Sequence, residues 1–297
     1  MNQEKEYVLE VAENVFFVEG EGGGAFPHSN SLMISDEKGV LIDTGIGDSR
    51  LGALKPRVDV VLNTHCHVDH IRGNHLFSEV WACGVESGAI RSFDAFKRFF
   101  GIWGQPMERV IEERLLSYGY RESRVEFEFS GGDVLDFGKT RWEVVLTPGH
   151  SPGHCCFYER ERGILFSGDI DLTGFGPWYG WPNCSVDDFI TSIELLMDMD
   201  INILASGHRR PIFSDIASAL RAYLGKIYAR EEEILDFLKG KHDLKQIVDK
   251  AFIYGSAQRR DWVLRVFEEN MVRLHLERLI RAGKVEFQGG TYRTTDP

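Results

Sequence analysis

Short apolar runs broken by turn residues fill the first two thirds of the chain and predict a series of strands. Residues 7–20 predict two strands around a turn, and residues 31–45 predict a hairpin that turns at Asp36-Glu37-Lys38-Gly39. Further apolar runs lie at 58–65, 124–129, 141–148, 155–160, 163–169 and 201–206. Helical spacing covers 89–100, 106–119 and 187–199. Strands interleaved with helices that cover them predict a layered α/β or α+β domain.

The pattern changes near residue 212, where strands give way to helices. Helical spacing covers 214–240, 243–252 and 259–283, with Gly240 as a stop for the first of these helices. Residues 284–295 predict two short strands, so this part of the chain has the element order of a winged helix. Residues 215–297 carry 15 Lys+Arg and 13 Asp+Glu, whereas residues 1–214 carry 19 and 33. We therefore predict two domains, 1–214 and 215–297.

Composition and charge narrow the class of protein further. The 297 residues are 43% hydrophobic and 27% charged, which is typical of a folded globular protein. A net charge of −12 disfavours a protein whose whole surface attracts nucleic acid. We find no apolar run of the roughly 18 residues that a membrane span needs, and no apolar secretion signal at the N-terminus. The five cysteines fit neither a disulfide framework nor a CxxC site, so we expect reduced thiols in a cytoplasmic protein.

A dense cluster of side chains that can bind metal follows the strand predicted at 58–65. Its members are His65, His67, Asp69 and His70. The two residues His65 and His67 lie two positions apart on an extended loop, so both can point into one space. We expect Asp69 and His70 to open a helix at the rim of the sheet. A mixture of imidazole and carboxylate suits zinc, iron or manganese better than calcium or magnesium.

Three more candidate ligands follow predicted strands elsewhere in the chain. His150 follows the strand at 141–148, Asp169 ends the run at 163–169, and His208 follows the strand at 201–206. Asp43 ends one further strand, in the predicted hairpin. A single histidine of this kind is more often a core residue than a ligand. Three strand-end residues that accompany such a cluster indicate a metal site.

The cluster at 65–70 and the four strand-end residues, in their order and spacing along the chain, resemble the motifs of the metallo-β-lactamase-fold hydrolases over roughly residues 7–214. The resemblance implies a four-layer αββα sandwich with two metal ions in a cleft at one sheet edge. It also implies a small helical winged-helix-like domain, as in the β-lactamase-like protein 2 group, which we expect to pack on the catalytic domain. The expected ligands are His65, His67 and His150 for the first ion, Asp69, His70 and His208 for the second, and Asp169 as a bridge.

The resemblance also implies how the site would work. Two cations about 3.5–4 Å apart share a hydroxide and lower the pKa of bound water from about 15.7 towards about 7. We predict a hydrolase that uses this hydroxide, with the bridging Asp169 and with Asp69 as a candidate proton acceptor. Asp43 is expected to fix the tautomers of the ligands from outside the metal site. His154 either hydrogen-bonds to the ligands in the same way or simply packs.

Departures from particular relatives narrow the expected substrate. Glyoxalase II enzymes usually have a histidine at the position of Cys66, and class B β-lactamases usually have a cysteine at the position of Asp169. We therefore expect an ester, thioester or lactone of small or medium size rather than an antibiotic. Cys66 is interpreted as a core residue that points away from the metal. The ions are expected to be zinc, with iron or manganese as alternatives.

An aromatic segment begins five residues after Asp169 and is a candidate wall or lid for the apolar part of a substrate. The candidate residues are Phe175, Trp178, Tyr179 and Trp181. The alternative is that these rings only pack the loop against the body of the protein. The glycine run at 20–24 lacks the lysine and hydroxyl of a phosphate-binding loop and is interpreted as a flap near the cleft.

Two other functions stay open at this point. One is an RNA phosphodiesterase that uses the same metals, with the winged helix guiding RNA, although the acidic first domain disfavours nucleic acid as a partner. The other is an iron oxidase of the persulfide dioxygenase type, which shares this fold and leaves the second metal position empty. We expect a small-molecule substrate and no membrane, and homo-oligomer formation stays open.

Overall fold

Residues 6–295 are described by the computed structural model, and the first part of this chain forms a seven-stranded sheet. Its strands are, in spatial order, β1 (Val8–Ala12), β2 (Val15–Val18), β3 (Ser31–Ser35), β4 (Gly39–Ile42), β5 (Val60–Leu62), β6 (Val80–Cys83) and β7 (Phe127–Phe129). Strands β1 to β4 pair antiparallel, whereas β4 to β7 pair parallel. Because β4 and β5 are parallel neighbours, Asp43 and the segment 64–70 meet at the same end of the sheet.

A second sheet of five strands follows. It comprises β8 (Val134–Asp136), β9 (Arg141–Leu146), β10 (Cys155–Glu159), β11 (Ile164–Phe166) and β12 (Ile203–Ala205), in the spatial order β12-β11-β10-β9-β8. Strands β11 and β12 pair parallel, and the other neighbours pair antiparallel. The parallel pair brings Asp169, which follows β11, and His208, which follows β12, to one end of this sheet.

Helices cover and connect the two sheets, and a hairpin ends the described chain. The α-helices are α1 (Asp48–Leu54), α2 (Val68–Ile71), α3 (Gly84–Arg91), α4 (Phe93–Phe99), α5 (Glu108–Ser117), α6 (Val186–Met197), α7 (Ile216–Phe237), α8 (Leu244–Lys250) and α9 (Trp262–Arg281). The hairpin consists of β13 (Val285–Gln288) and β14 (Thr291–Thr294). No helix within residues 6–295 is both long enough and apolar enough to cross a bilayer.

Four layers result from the packing of the apolar faces. Phe17 of the first sheet and Trp142 of the second belong to one buried cluster between the sheets. On the outer face of the first sheet, Leu51 of α1 packs in a separate cluster with residues of β2, β3 and β4. On the outer face of the second sheet, Leu165 of β11 and Phe189 of α6 belong to a third cluster. The predicted αββα sandwich is therefore confirmed.

The main departures from the sequence prediction are short elements. The single helix predicted at 89–100 is wrong, because Ser92 has extended backbone angles (φ −145°, ψ 131°) and separates α3 from α4. The Ser92 side chain accepts a hydrogen bond from the Ala95 amide and so caps α4. Strands β6 and β8 and helix α1 are absent from the prediction, since four, three and seven residues are too few for periodicity to reveal them.

The C-terminal helices share their packing with the sandwich. The first turns of α7 bury Leu220 and Ile227 in the cluster on the outer face of the second sheet. The later turns of α7 bury Ile234 in a smaller cluster with Val272 and Leu276 of α9. The predicted helical C-terminal region is confirmed, whereas its winged-helix assignment and the boundary at residue 215 stay predictions. The five cysteines are buried and carry free thiols, as predicted.

Candidate metal centre

The structure brings the seven predicted ligand side chains together at the ends of four strands. Those of residues 65–70 follow β5, and His150, Asp169 and His208 follow β9, β11 and β12. They form two groups, and within each group the candidate ligand atoms lie within 4.8 Å of one another. We name His65, His67 and His150 the histidine group, and we name Asp69, His70 and His208 the mixed group. Asp169 lies within this distance of the histidine group and also contacts the mixed group.

Asp169 lies between the groups with one carboxylate oxygen turned towards each. Its Oδ2 atom lies 3.1 Å from the Nε2 atom of His150 in the histidine group. Its Oδ1 atom lies 2.9 Å from Nε2 of His70 and 3.3 Å from Nε2 of His208 in the mixed group. The side chains of Asp169 and His208 are 11% and 15% exposed, so the site is open to solvent on their side.

Hydrogen bonds behind the histidine group fix which ring nitrogen carries the proton. The hydroxyl of Thr64 donates to Oδ2 of Asp43 at 2.8 Å, so it accepts from Nδ1–H of His65 at 2.9 Å. The Nδ1–H group of His150 donates to the backbone carbonyl of Trp178 at 2.9 Å, because a carbonyl can only accept. The Nε2 atoms of His65 and His150 therefore present lone pairs to the interior of the site.

These lone pairs converge on one point. Nε2 of His150 lies 3.1 Å from Nε2 of His65 and 2.7 Å from Nδ1 of His67. The lone pairs of His65 and His150 repel each other at 3.1 Å unless a cation lies between them. The other ring nitrogen of His67, Nε2, is buried and has no hydrogen-bond partner among residues 6–295. Three converging imidazoles beside a carboxylate are a donor set that suits zinc, so these residues fit a metal ion.

The imidazoles of the mixed group are also oriented by hydrogen bonds from Nδ1–H, but to different partners. Nδ1–H of His70 donates to Oδ2 of Asp43 at 2.7 Å. Nδ1–H of His208 donates to the backbone carbonyl of Gly24 at 2.6 Å. The Nε2 atoms of both rings consequently face the carboxylates, with Nε2 of His208 3.3 Å from Oδ2 of Asp69. The glycine run interpreted as a flap thus supplies a contact to a predicted ligand.

The pKa values of His65 in the histidine group and His70 in the mixed group shift in opposite directions. Burial and the neighbouring imidazoles of His70 and His67 hold the pKa of His65 well below its usual range. Burial acts in the same direction on His70, but nearby carboxylates, Asp169 first among them, outweigh it and raise the pKa of His70 to about 10. Burial would raise the pKa of Asp169, but the imidazoles of His70 and His208 hold it well below the usual range. The mixed group therefore has the stronger imidazole–carboxylate attraction.

A hydrogen bond from outside the two groups supports Asp169. The Nε2 atom of His154 accepts a hydrogen bond from the Asp169 amide at 3.1 Å, and Nδ1 of His154 lies 2.8 Å from the Thr147 hydroxyl. His154 thus hydrogen-bonds to the backbone of a predicted ligand, besides packing in the core. Gly168 makes this approach possible, because a Cβ atom there would lie 2.7 Å from Nε2 of His154.

Sequence reasoning missed Glu86, a buried carboxylate on α3 that joins the loops of the histidine group. Glu86 accepts hydrogen bonds from the Cys66 amide at 2.6 Å, the Ser151 hydroxyl at 2.5 Å and the Gly153 amide at 2.9 Å. Burial raises its pKa. Cys66, between His65 and His67, and Ser151, beside His150, are thereby linked. The helix position of Glu86 carries no motif that could have revealed this role.

The aromatic segment places one of its four predicted residues beside the ligands. The ring of Trp178 lies 5.5 Å from the rings of His67 and His150, measured between centroids. Trp178 is half-buried and also packs against Phe267 of α9 at 5.2 Å. Trp181 is buried and packs against the same Phe267 ring at 5.0 Å.

The other two predicted aromatic residues contact the C-terminal region. Tyr179 is fully buried, and its hydroxyl is hydrogen-bonded to Nε2 of His275 at 2.7 Å. Phe175 is 39% exposed and packs against Tyr254 at 5.3 Å. The segment therefore packs against the C-terminal helices and, through Trp178, also contacts the histidine group.

The region that contains both groups matches a known family model. The model of the Metallo-beta-lactamase superfamily matches residues 14–208. The chain also superposes on the crystal structure of a metallo-beta-lactamase family protein from Thermus thermophilus, with a TM-score of 0.72 and 21% identity. This superposition covers 96% of the chain and 100% of the Thermus protein. At this identity the likeness shows the fold, and its coverage includes C-terminal helices.

Two curated relatives are hydrolases by name. The chain is 29% identical over 187 residues to acyl-coenzyme A thioesterase MBLAC2 of Homo sapiens, a match that covers 57% of this chain and 66% of the human protein. It is 27% identical over 198 residues to hydroxyacylglutathione hydrolase GloC of Haemophilus influenzae, covering 62% of this chain and 86% of GloC. The match thus spans just under two thirds of the length of the human relative.

Proposed function

The chain belongs to the metallo-β-lactamase superfamily, and we propose that it is a hydrolase that cleaves a small or medium-sized ester, thioester or lactone. The observation that carries this proposal is the convergence of the histidine group and the mixed group on the two oxygens of Asp169. Among the three substrate classes we favour a thioester.

The residues of the two groups would hold two divalent cations. The histidine group would hold one ion and the mixed group the other, and Asp169 would serve both. When bound, a pair of divalent cations lowers the pKa of water towards about 7 and stabilises negative charge on a carbonyl oxygen. We propose zinc for both, because imidazole and carboxylate ligands suit it, with iron and manganese as outcomes that metal analysis would reveal.

The chain's own residues perform the remaining tasks. Asp69 is 5% exposed and faces the interior of the site, where its carboxylate can accept a proton during the reaction. Trp178 covers the histidine group on one side. The substrate would enter from the side where Asp169 and His208 are exposed, with its apolar part against Trp178.

The preference for a thioester rests on the two curated relatives. One is named for acyl-coenzyme A and the other for hydroxyacylglutathione, and both names describe release of an acyl group from a thiol carrier. Support also comes from Asp169 itself, since the bridging position carries the aspartate expected for a hydrolase of this kind rather than the cysteine of class B β-lactamases. The cytoplasm stays the predicted compartment.

The experiment combines elemental analysis with a substrate panel. The purified full chain is assayed on acyl thioesters, simple esters, lactones and a phosphodiester, before and after removal of metal by a chelator. We expect about two zinc ions per chain, turnover of thioesters, and loss of turnover after metal removal. Turnover of the phosphodiester alone, or one iron per chain with an oxidase activity, would contradict the proposal.

A further inference from the structure

Arg230 of α7 is a buried cation that contacts the aromatic segment after Asp169. It is 7% exposed. Its Nη1 atom donates to the carbonyl of Pro177 at 2.6 Å and to the hydroxyl of Tyr179 at 2.8 Å. Its Nη2 atom donates to the carbonyl of Phe175 at 2.6 Å. One guanidinium group therefore joins three residues of a loop that has no regular secondary structure.

The chemistry of these contacts is specific for arginine. The guanidinium group carries five N–H donors in a rigid plane, so it can reach several acceptors at fixed angles. Its carbon lies 5.1 Å from the ring centre of Phe175 and 5.4 Å from that of Tyr179, so it is also packed beside aromatic rings. A lysine ammonium group at this place is a point charge and could not bond to both backbone carbonyls in the same geometry.

The carbonyl next to these contacts belongs to the metal centre. Trp178 lies between Pro177 and Tyr179, and its carbonyl accepts the Nδ1–H group of His150 at 2.9 Å. That hydrogen bond determines which nitrogen of His150 points into the site. Since Arg230 bonds to the residues on both sides of Trp178, it fixes the direction of the carbonyl that orients His150.

The side chain of Trp178 is held by the same region of the chain. Its Nε1–H group donates to the hydroxyl of Tyr254 at 2.6 Å, and the Tyr254 amide donates to the buried carboxylate of Glu268 at 2.8 Å. Phe267 packs on the Trp178 ring at 5.2 Å. The C-terminal helices thus hold both the backbone and the side chain of Trp178.

We propose that Arg230 is a positioning residue for the metal centre, acting on His150 through the Trp178 carbonyl. The C-terminal region is then part of the machinery that binds the ion at the histidine group. This inference rests on the proposed function, because it assumes that the histidine group binds a metal. Partners that orient a ligand histidine typically change metal affinity by about 10–100-fold when they are removed.

The test uses Arg230→Met in the full chain. Zinc affinity is measured by competition with a chelator, and ¹⁵N NMR of the histidine side chains reports the tautomer of His150 in the metal-free protein. We expect the affinity for the ion at the histidine group to fall by about 10–100-fold. The spectrum should show His150 in a mixture of tautomers, whereas the wild type shows the Nδ1–H form alone. Arg230→Lys should restore neither property.

The matched control is Arg278→Met. Arg278 of α9 pairs with Glu231 at 2.6 Å and with Asp187 at 2.6 Å, and both of these partners lie outside the aromatic segment. This variant removes an arginine from the same region, so it should lower the melting temperature while keeping wild-type zinc affinity and a single His150 tautomer. Equal losses of affinity in the two variants would overturn the positioning role.

Other outcomes also decide the question. A folded Arg230→Met variant with wild-type zinc affinity and a single tautomer would overturn the inference and leave the proposed function intact. If Arg230→Met does not fold, Arg230→Gln takes its place, and failure of both with Arg278→Met folded would show a purely structural role. A wild type that binds no zinc, iron or manganese would contradict the proposed function itself.

Discussion

The histidine group and the mixed group use the same kinds of side chain but are supported by different parts of the molecule. The histidine group depends on Glu86 of α3 and, through Trp178, on the C-terminal helices. The mixed group depends on Asp43 after β4 and on the carbonyl of Gly24 in the N-terminal glycine run. Two sites that share one carboxylate are therefore held by largely different scaffolds, which meet at Asp43 because Asp43 also supports His65 through the Thr64 hydroxyl.

The charges behind the ligands differ as well. Apart from the shared Asp169, the histidine group contains only imidazoles, whereas the mixed group contains Asp69 and is backed directly by Asp43. Carboxylates offset the positive charge of a cation, and imidazoles supply neutral lone pairs. We therefore expect the two ions to bind with different affinities and to respond to different substitutions.

A change at the shared residue, Asp169, should affect both groups at once and therefore have the largest effect on turnover. Asp169→Asn keeps the size of the side chain but removes the negative charge that faces both groups. It also replaces one of the two carboxylate oxygens by an amide nitrogen, which cannot act as a ligand. We expect turnover to fall by more than about 100-fold. A change at a residue that only orients a ligand costs up to about 100-fold, and Asp169 is itself a predicted ligand. Steady-state kinetics and elemental analysis measure this, with Asp136→Asn on the exposed strand β8 as the control.

Removing one ligand from each group should separate the two sites. His150→Ala should lose the ion of the histidine group, and His208→Ala should lose the ion of the mixed group. Each variant is expected to retain about one metal ion per chain and to lose most of its turnover, because the pair of cations acts together. Metal content per chain measures this, and loss of both ions in either variant would show that the groups are not independent.

Changes behind the ligands should have smaller effects that still distinguish the groups. Asp43 contacts His70 directly and His65 through the Thr64 hydroxyl. We expect Asp43→Asn to lower the affinity for both ions by about 10–100-fold, and Thr64→Val to weaken only the ion at the histidine group. Chelator competition measures both affinities, and an unchanged affinity at the histidine group in Thr64→Val would refute the route through the hydroxyl.

Substitution of Glu86 should have the smallest effect on metal affinity, and this effect should be restricted to the histidine group. Glu86→Gln leaves one of three buried donors without an acceptor, so the free energy of unfolding should fall by about 1–3 kcal/mol. Metal affinity at the histidine group should fall by up to about 10-fold. Glu159→Gln, at a buried carboxylate of β10 that pairs with Arg162, should lose stability without losing metal affinity.

The sequence predicted which side chains converge, because these residues occupy positions that strand patterns reveal. His150, Asp169 and His208 each follow an apolar run. His150 lies at the same end of the sheet as Asp169 because β9 and β11 both pair antiparallel with β10, and parallel pairing of neighbouring strands brings Asp169 and His208 together. The Asp43 contact could be expected for the same reason. The alternation of strands and helices predicted a layered domain, and the αββα order of its layers followed from the resemblance to the family.

The supports of the histidine group could not be predicted from the sequence. The acceptor for His150 is a backbone carbonyl, which any residue at position 178 would supply. Arg230 and Glu86 act across 53 and 65 residues of chain, and neither stands in a recognisable motif. Such contacts depend on how loops pack on helices, which residue patterns do not encode.

Anomalous X-ray diffraction from crystals of the zinc-loaded chain tests the central claim most directly. We expect two anomalous peaks, one within reach of His65, His67 and His150 and the other within reach of Asp69, His70 and His208. Asp169 should contact both peaks. An absence of peaks between these side chains, or a peak elsewhere with His150 and His208 turned away from each other, would contradict the account.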